Sequence, residues 1–200
     1  MIKEINVTCQ KCQTELGVNI FDVISLDDFH KELLKKNELF TIECYNCHNK
    51  IKLDYDCLCL DEKKKYAIAL CHEENIENIS NLFSDQQIEY KKRIVNDSFR
   101  LLEKVYIFDN NFDDRIIEIM KCIDIIHILK DKGTECDVKD YFVCEGKKFY
   151  FYVIIDEDSY HLDFDFDLYD QIQKNISLVD DENLQVIDYN CAVKKVSDLV

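Results

Sequence analysis

Two cysteine pairs, Cys9-Gln10-Lys11-Cys12 and Cys44-Tyr45-Asn46-Cys47, constrain this chain more than any other feature. A Cys-x-x-Cys turn aims two thiolates at one point, and two such turns supply the four soft ligands of a closed tetrahedral site. The expected occupant is one structural zinc ion on Cys9, Cys12, Cys44 and Cys47. Four thiolates leave no open coordination position for water or substrate, so the motif points to a metal without pointing to a reaction. The competing reading is four buried or redox-active thiols. Cys44-Tyr45-Asn46-Cys47-His48 also matches the haem-attachment string, but that chemistry needs an exported protein and leaves the first pair unexplained.

Patterning around the pairs predicts two hairpins. Ile5 to Thr8 reads as a strand entering the first knuckle, and Thr14 to Ile20, with Leu16, Val18 and Ile20 alternating, as a strand leaving it. Phe40 to Glu43 and Ile51 to Tyr55 repeat the arrangement around the second pair. Between them, Leu26 to Lys36 reads as a helix with Ser25 as N-cap, acids in its first turn and lysines at its end. The module is expected to end near residue 60. Asp61-Glu62-Lys63-Lys64-Lys65 then reads as a solvated hairpin turn before an apolar strand, Tyr66 to Cys71.

The remaining 61–200 segment is expected to form a mixed helix and sheet domain. Ile88 to Val95 reads as a strand, Ser98 onward as a helix, and about Phe112 to Lys130 as a second helix carrying Ile116, Ile119, Met120, Ile123, Ile126 and Leu129. Strands follow at Val138 to Val143, Lys148 to Ile155 and Tyr160 to Phe166. A short helix from Asp167 to Lys174 and a last strand at Val186 to Val193 close the chain. The fold class is therefore α+β, a zinc-ribbon-like double hairpin with an inserted helix followed by a mixed domain.

Charge is unevenly spread. The formal net charge is −16, and residues 131–200 contain 17 acidic against 7 basic side chains, a net of −10. Such a surface repels phosphate backbones, which argues against direct nucleic-acid binding through that end and favours a basic protein partner. Eleven cysteines, an odd count, with two tight pairs and no apolar leader at Met1 to Asn6, fit a reducing, cytoplasmic compartment. No apolar run approaches a membrane span.

In order and spacing, the cysteine pairs, the helical insert, the Tyr55 region and the strand Lys65 to Leu70 resemble the CpXC-domain family of bacterial and archaeal proteins, named for two Cys-Pro-x-Cys motifs. So do Arg93-Ile94-Val95, Leu102 to Asp109 and Asp113 to Glu118. The likeness covers roughly residues 5 to 120, and it implies a metal-binding domain without an assigned activity. Gln10 and Tyr45 stand where the family has proline, and Gln13 and His48 where glycine follows each knuckle. A left-handed backbone is thus expected at Gln13 and His48, at a cost on the order of 1 kcal/mol each.

Other groups carry two readings each. Cys57 and Cys59, with Cys71 and His72, are either apolar packing or a second metal site. Asp113, Asp114, Arg115 and Glu118 open the long helix, as dipole-favoured capping acids or as a carboxylate cluster for an ion or for hydrolase-type acid and base work. Asp163, Asp165 and Asp167 alternate with Leu162, Phe164 and Phe166, which on a strand gives one acidic face, either solvated or a ligand or partner site. With three glycines and no phosphate loop, nucleophile elbow or His-Glu-x-x-His, a familiar cofactor enzyme is not expected. The reading that results is a non-catalytic, zinc-stabilised adaptor or regulator with an acidic protein-binding surface. An unrecognised enzyme around Asp113, Asp114 and Glu118 and an acidic mimic of nucleic acid are the alternatives.

Overall fold

A computed structural model of the chain describes residues 2–72, 83, 89–129, 137–175, 186–188 and 192–193. The chain divides into two compact units, Met1–Leu102 and Glu103–Val200. Both mix helix and sheet, so the class is α+β.

In the first unit, β1 (Ile2–Thr8) and β2 (Glu15–Phe21) form an antiparallel hairpin, and β4 (Thr41–Glu43) and β5 (Lys50–Lys52) form a second. Helix α1 (Asp28–Lys35) lies between the hairpins in sequence. Its N-cap is Asp27, whose Oδ1 accepts from the His30 N–H at 2.9 Å, rather than Ser25. Ser25 instead ends β3 (Val23–Ser25), and the Leu26 N–H still reaches the Leu60 carbonyl at 2.6 Å, which holds the chain in the sheet until the cap.

That sheet has the order β3-β6-β7-β8, with β6 at Cys57–Asp61, β7 at Tyr66–Leu70 and β8 at Lys91–Val95. β3 runs parallel to β6 and β7 parallel to β8, while β6 and β7 form an antiparallel hairpin. Every residue of β7 is buried, as an unbroken apolar strand at the middle of a sheet requires. The unit runs past residue 60 because β6, β7 and β8 share one core of Leu58, Ala67, Ala69, Cys71 and Ile94. The charged stretch after β6 is the hairpin turn: Asp61 Oδ1 accepts from the Lys64 N–H at 2.7 Å, and Lys65 takes φ 56°.

The second unit opens within helix α2 (Ser98–Asp109) and continues through α3 (Asp114–Leu129), a β-meander and α4 (Phe166–Asn175). The meander has the order β11-β10-β9, from β9 (Val138–Glu145), β10 (Lys148–Ile155) and β11 (Asp158–Asp163). Two-residue turns, Gly146-Lys147 and Asp156-Glu157, set its registers, with Gly146 at φ 64° and Asp156 at φ 53°. One face carries Phe142, Phe149 and Phe151, which meet Phe112, Phe164 and Tyr169 at ring separations of 5.1–6.1 Å.

Two expected features differ. The strand through Asp163, Asp165 and Asp167 stops at Asp163: Asp165 Oδ1 accepts from the Leu168 N–H at 2.9 Å and caps α4, so the three carboxylates do not share a strand face. At the C-terminus, residues 186–188 are not a strand and residues 192–193 are helical; the rest of the strand expected at Val186 to Val193 lies outside the described residues.

Candidate metal centre

Each cysteine pair sits in the tip of its hairpin, and the two tips are built alike. In the first, the Cys9 N–H donates to the Thr14 carbonyl at 2.9 Å and the Gln13 N–H to the Cys9 carbonyl at 2.8 Å. In the second, the Cys44 N–H donates to the Asn49 carbonyl and the His48 N–H to the Cys44 carbonyl, both at 2.9 Å. Gln13 at φ 60° and His48 at φ 56° occupy the left-handed region, as the missing glycines lead one to expect. A third contact, invisible in the cysteine spacing, joins the tips: Asn46 Nδ2 donates to Thr14 Oγ1 at 3.1 Å.

The four sulfurs converge. Cys9 Sγ is 3.6 Å from Cys47 Sγ, Cys12 Sγ is 3.6 Å from Cys44 Sγ, and all four lie within 4.8 Å of one another. A tetrahedron with zinc–sulfur bonds of about 2.3 Å has sulfur–sulfur edges of about 3.8 Å. The cluster thus has the dimensions of a four-thiolate site, and it could hold a metal ion. Cys9 and Cys44 are fully buried, while Cys12 and Cys47 are half-buried; Leu16, Val18 and Ile51 pack around them.

The thiols do not share one environment. The Cys12 backbone N–H holds the Cys9 thiol below its usual range. Hydrogen bonds from the Thr14 hydroxyl and backbone bring Cys12 down to about 6. At Cys47 the Asn49 N–H also favours the thiolate, but burial and the three neighbouring sulfurs overcome it and push the thiol up to about 12. Backbone donors thus favour the thiolate at Cys9 and Cys12, and neighbouring sulfurs disfavour it at Cys47. A divalent cation bound by the cluster would favour the thiolate form of its ligands.

Residues 7–121 match the family model described as CpXC protein. The chain belongs to the CpXC family. The matched stretch holds both cysteine pairs, the four-stranded sheet and the chain through Lys121. No curated protein and no solved structure matches the chain.

Elsewhere in this CpXC protein, the other flagged residues take different places. Cys57, Cys59 and Cys71 are buried in β6 and at the end of β7, with Cys71 inside the apolar cluster of the sheet. His72 faces solvent between two acids, with Nδ1 2.9 Å from Asp56 Oδ1 and Nε2 3.2 Å from Asp54 Oδ2. Asp113 is the N-cap of α3, since its Oδ1 accepts from the Arg115 N–H at 3.0 Å. Its carboxylate also takes the Arg115 guanidinium, at 2.9 and 2.6 Å.

Asp114 and Glu118 belong to a buried network that the sequence does not announce. Lys104 Nζ donates to Asp114 Oδ2 at 3.0 Å, Glu118 Oε1 at 3.3 Å and the Ile187 carbonyl at 3.1 Å. Lys121 Nζ reaches Glu103 Oε1 at 2.9 Å, Glu118 Oε2 at 2.8 Å and Asp140 Oδ1 at 2.9 Å. Each ammonium has three acceptors for its three donors. Glu103 Oε1 also accepts from the Phe142 N–H at 2.6 Å, tying α2 to the meander. Burial raises the Glu118 pKa, against the pull of both lysines. The signal that could have found the network is a lysine, Lys121, on the apolar stripe of a helix buried nearly all round.

Proposed function

We propose that Cys9, Cys12, Cys44 and Cys47 hold one structural zinc ion, closing the two cysteine hairpins into a zinc-ribbon-like module. On this reading the protein is a non-catalytic cytoplasmic adaptor or regulator, and the 61–200 segment presents an acidic surface to a basic protein partner. The observation that carries the zinc site is the convergence of four thiol sulfurs, within 4.8 Å of one another and with two pairs at 3.6 Å, on two equivalent turns. A tetrahedral set of four sulfurs suits zinc or iron, and thiolate donors exclude magnesium and calcium. A full ligand set leaves the metal no position for substrate. Asp114 and Glu118, the carboxylates of the hydrolase alternative, are buried and paired with Lys104 and Lys121, which favours a structural role for them. No helix among the described residues is long and apolar enough to cross a membrane.

X-ray absorption at the zinc edge on the purified protein tests the site. Four sulfur scatterers at about 2.3 Å are expected. Nitrogen or oxygen in the shell, or no zinc, contradicts the reading. For the surface, cross-linking with mass spectrometry against soluble cell extract should place captured basic proteins on residues 137–175, and cross-links confined to other regions would remove the adaptor role.

A further inference from the structure

We propose that a cleft in the first unit binds a free α-amino acid with a small apolar side chain. The cleft, of about 200 Å3, lies between the base of the second cysteine hairpin and the start of α2. Its place in the sheet suits a ligand. β7 and β8 run parallel and end side by side at Leu70 and Val95, and Asn96-Asp97 leads directly into α2. Ligands settle outside the carboxyl ends of parallel strands, where diverging connections leave a crevice beside a helix start. The other wall is the hairpin base, where the Leu53 N–H donates to the Phe40 carbonyl at 2.7 Å. At about 30 Å3 per water the space is worth about seven waters, the size of a small amino acid such as valine.

Three polar groups on the rim have a bond to spare. Ser98 is 8% exposed, and its Oγ, alone among the buried side-chain nitrogens and oxygens of the described residues, has no hydrogen-bond partner. A buried hydroxyl left unmatched costs stability unless something outside the chain completes it. Ser98 opens α2, so no preceding helical turn restricts its χ1, and the hydroxyl can turn to the cleft. Lys52 Nζ lies 5.2 Å from the centre of the Phe99 ring and enters no ion pair among the described residues. Asp97 Oδ1 accepts from the Phe99 and Arg100 N–H groups at 2.7 and 2.8 Å, which leaves Oδ2 to a ligand. Because that cap already takes the first N–H groups of α2, the helix start alone is not an anion site.

The lining sorts into the three parts of an amino acid. Phe40, Leu53 and Leu70, all buried, form an apolar floor for the side chain. Asp97, with Asp54 on the same rim, meets the ammonium, while Lys52 and the Ser98 hydroxyl meet the carboxylate. A plain acid gives the aspartates no partner, and a plain amine leaves Lys52 without one. A rim with both signs of charge selects a zwitterion.

Chemical-shift titration of the nitrogen-15-labelled full chain with L-valine tests the site. Saturable shifts are expected at the Leu53, Leu70 and Ser98 amides. Lys52→Gln and Asp97→Asn should each weaken binding about threefold or more, the second with its capping bonds retained. Ser98→Ala should do the same without lowering the melting temperature, because the unmatched hydroxyl holds nothing in the empty protein. Two analogues should bind the wild type about fivefold or more less tightly: 3-methylbutanoate, which lacks the ammonium, and L-valinamide, which models the amino terminus of a peptide. Circular dichroism checks that the variants fold; if they do not, the analogue comparison on the wild type decides. Shifts that do not saturate by about 20 mM, or that scatter away from these residues, overturn the site. Binding of valinamide or 3-methylbutanoate as tight as that of valine overturns the free amino acid as its ligand.

Discussion

Lys121 Nζ lies 2.9 Å from Glu103 Oε1 with the two side chains 0% and 1% exposed, and this pair links helices α2 and α3 through the interior of the second unit. A charge there is tolerated only because every donor is matched. Lys121→Met removes the cation and leaves Glu103, Glu118 and Asp140 crowded together in a low-dielectric core. The expected cost is about 3–5 kcal/mol, measured by urea unfolding of the second unit's transition. A change below about 1 kcal/mol would show that the network does not hold the helices.

Asp124 gives a pH-dependent prediction. Burial raises its pKa from 3.8 to about 6, opposed by His127 and helped by Asp165. A carboxyl whose folded pKa lies above its unfolded value binds its proton more tightly in the folded state. Stability therefore rises as pH falls from about 6 toward 3.8, and at neutral pH the ionised group is a burden. Asp124→Asn should stabilise by about 1 kcal/mol at pH 7, after allowing for solvent screening, and by nothing near pH 3.5. Thermal melts of both proteins across that range check the convergence.

His72 predicts the opposite dependence. Hydrogen bonds that its ring donates to the Asp56 and Asp54 carboxylates raise its pKa above the ordinary imidazole value. Its contribution is fully present below the unfolded value of 6.5 and is lost as pH rises through the raised folded value. Asp56→Asn should bring the imidazole titration, followed by NMR, back toward 6.5. An unchanged titration would mean that Asp56 does not hold the ring.

Gln13 and His48 adopt left-handed backbone that glycine takes without a Cβ penalty. Gln13→Gly should stabilise the metal-loaded protein by about 0.5–1 kcal/mol, because the exposed Gln13 side chain contributes only one bond, to the Gln10 carbonyl at 3.2 Å. Equal or lower melting temperature in the variant would show that the turn carries no strain.

The cysteine cluster was legible in the sequence because its signal is local: two ligand pairs and two hairpins follow from spacing and alternation, while the left-handed residues after each knuckle were implied by the likeness to the family. The meander and the paired helices were legible for the same reason, through alternation and a helical apolar stripe. Long-range features were not. β3 and β6 are short and pair across the intervening helix and hairpin, and three residues of Val23–Ser25 give too little pattern to identify. Asp165 looked like part of a strand because Phe164 and Phe166 alternate around it, while its capping bond to Leu168 decided the matter. Asp114 and Glu118 read as capping acids at a helix start or as a carboxylate cluster, because Lys104, which meets them, lies on another helix.

The zinc ion proposed on Cys9, Cys12, Cys44 and Cys47 can be counted. Elemental mass spectrometry of protein purified without added metal, on the wild type and on a Cys9→Ser, Cys12→Ser double variant, tests it most directly. The account predicts one zinc per chain in the wild type and none in the variant, with loss of the first unit's structure as its ligand set is broken. A wild type without metal, or an ion that survives loss of both cysteines, would contradict it.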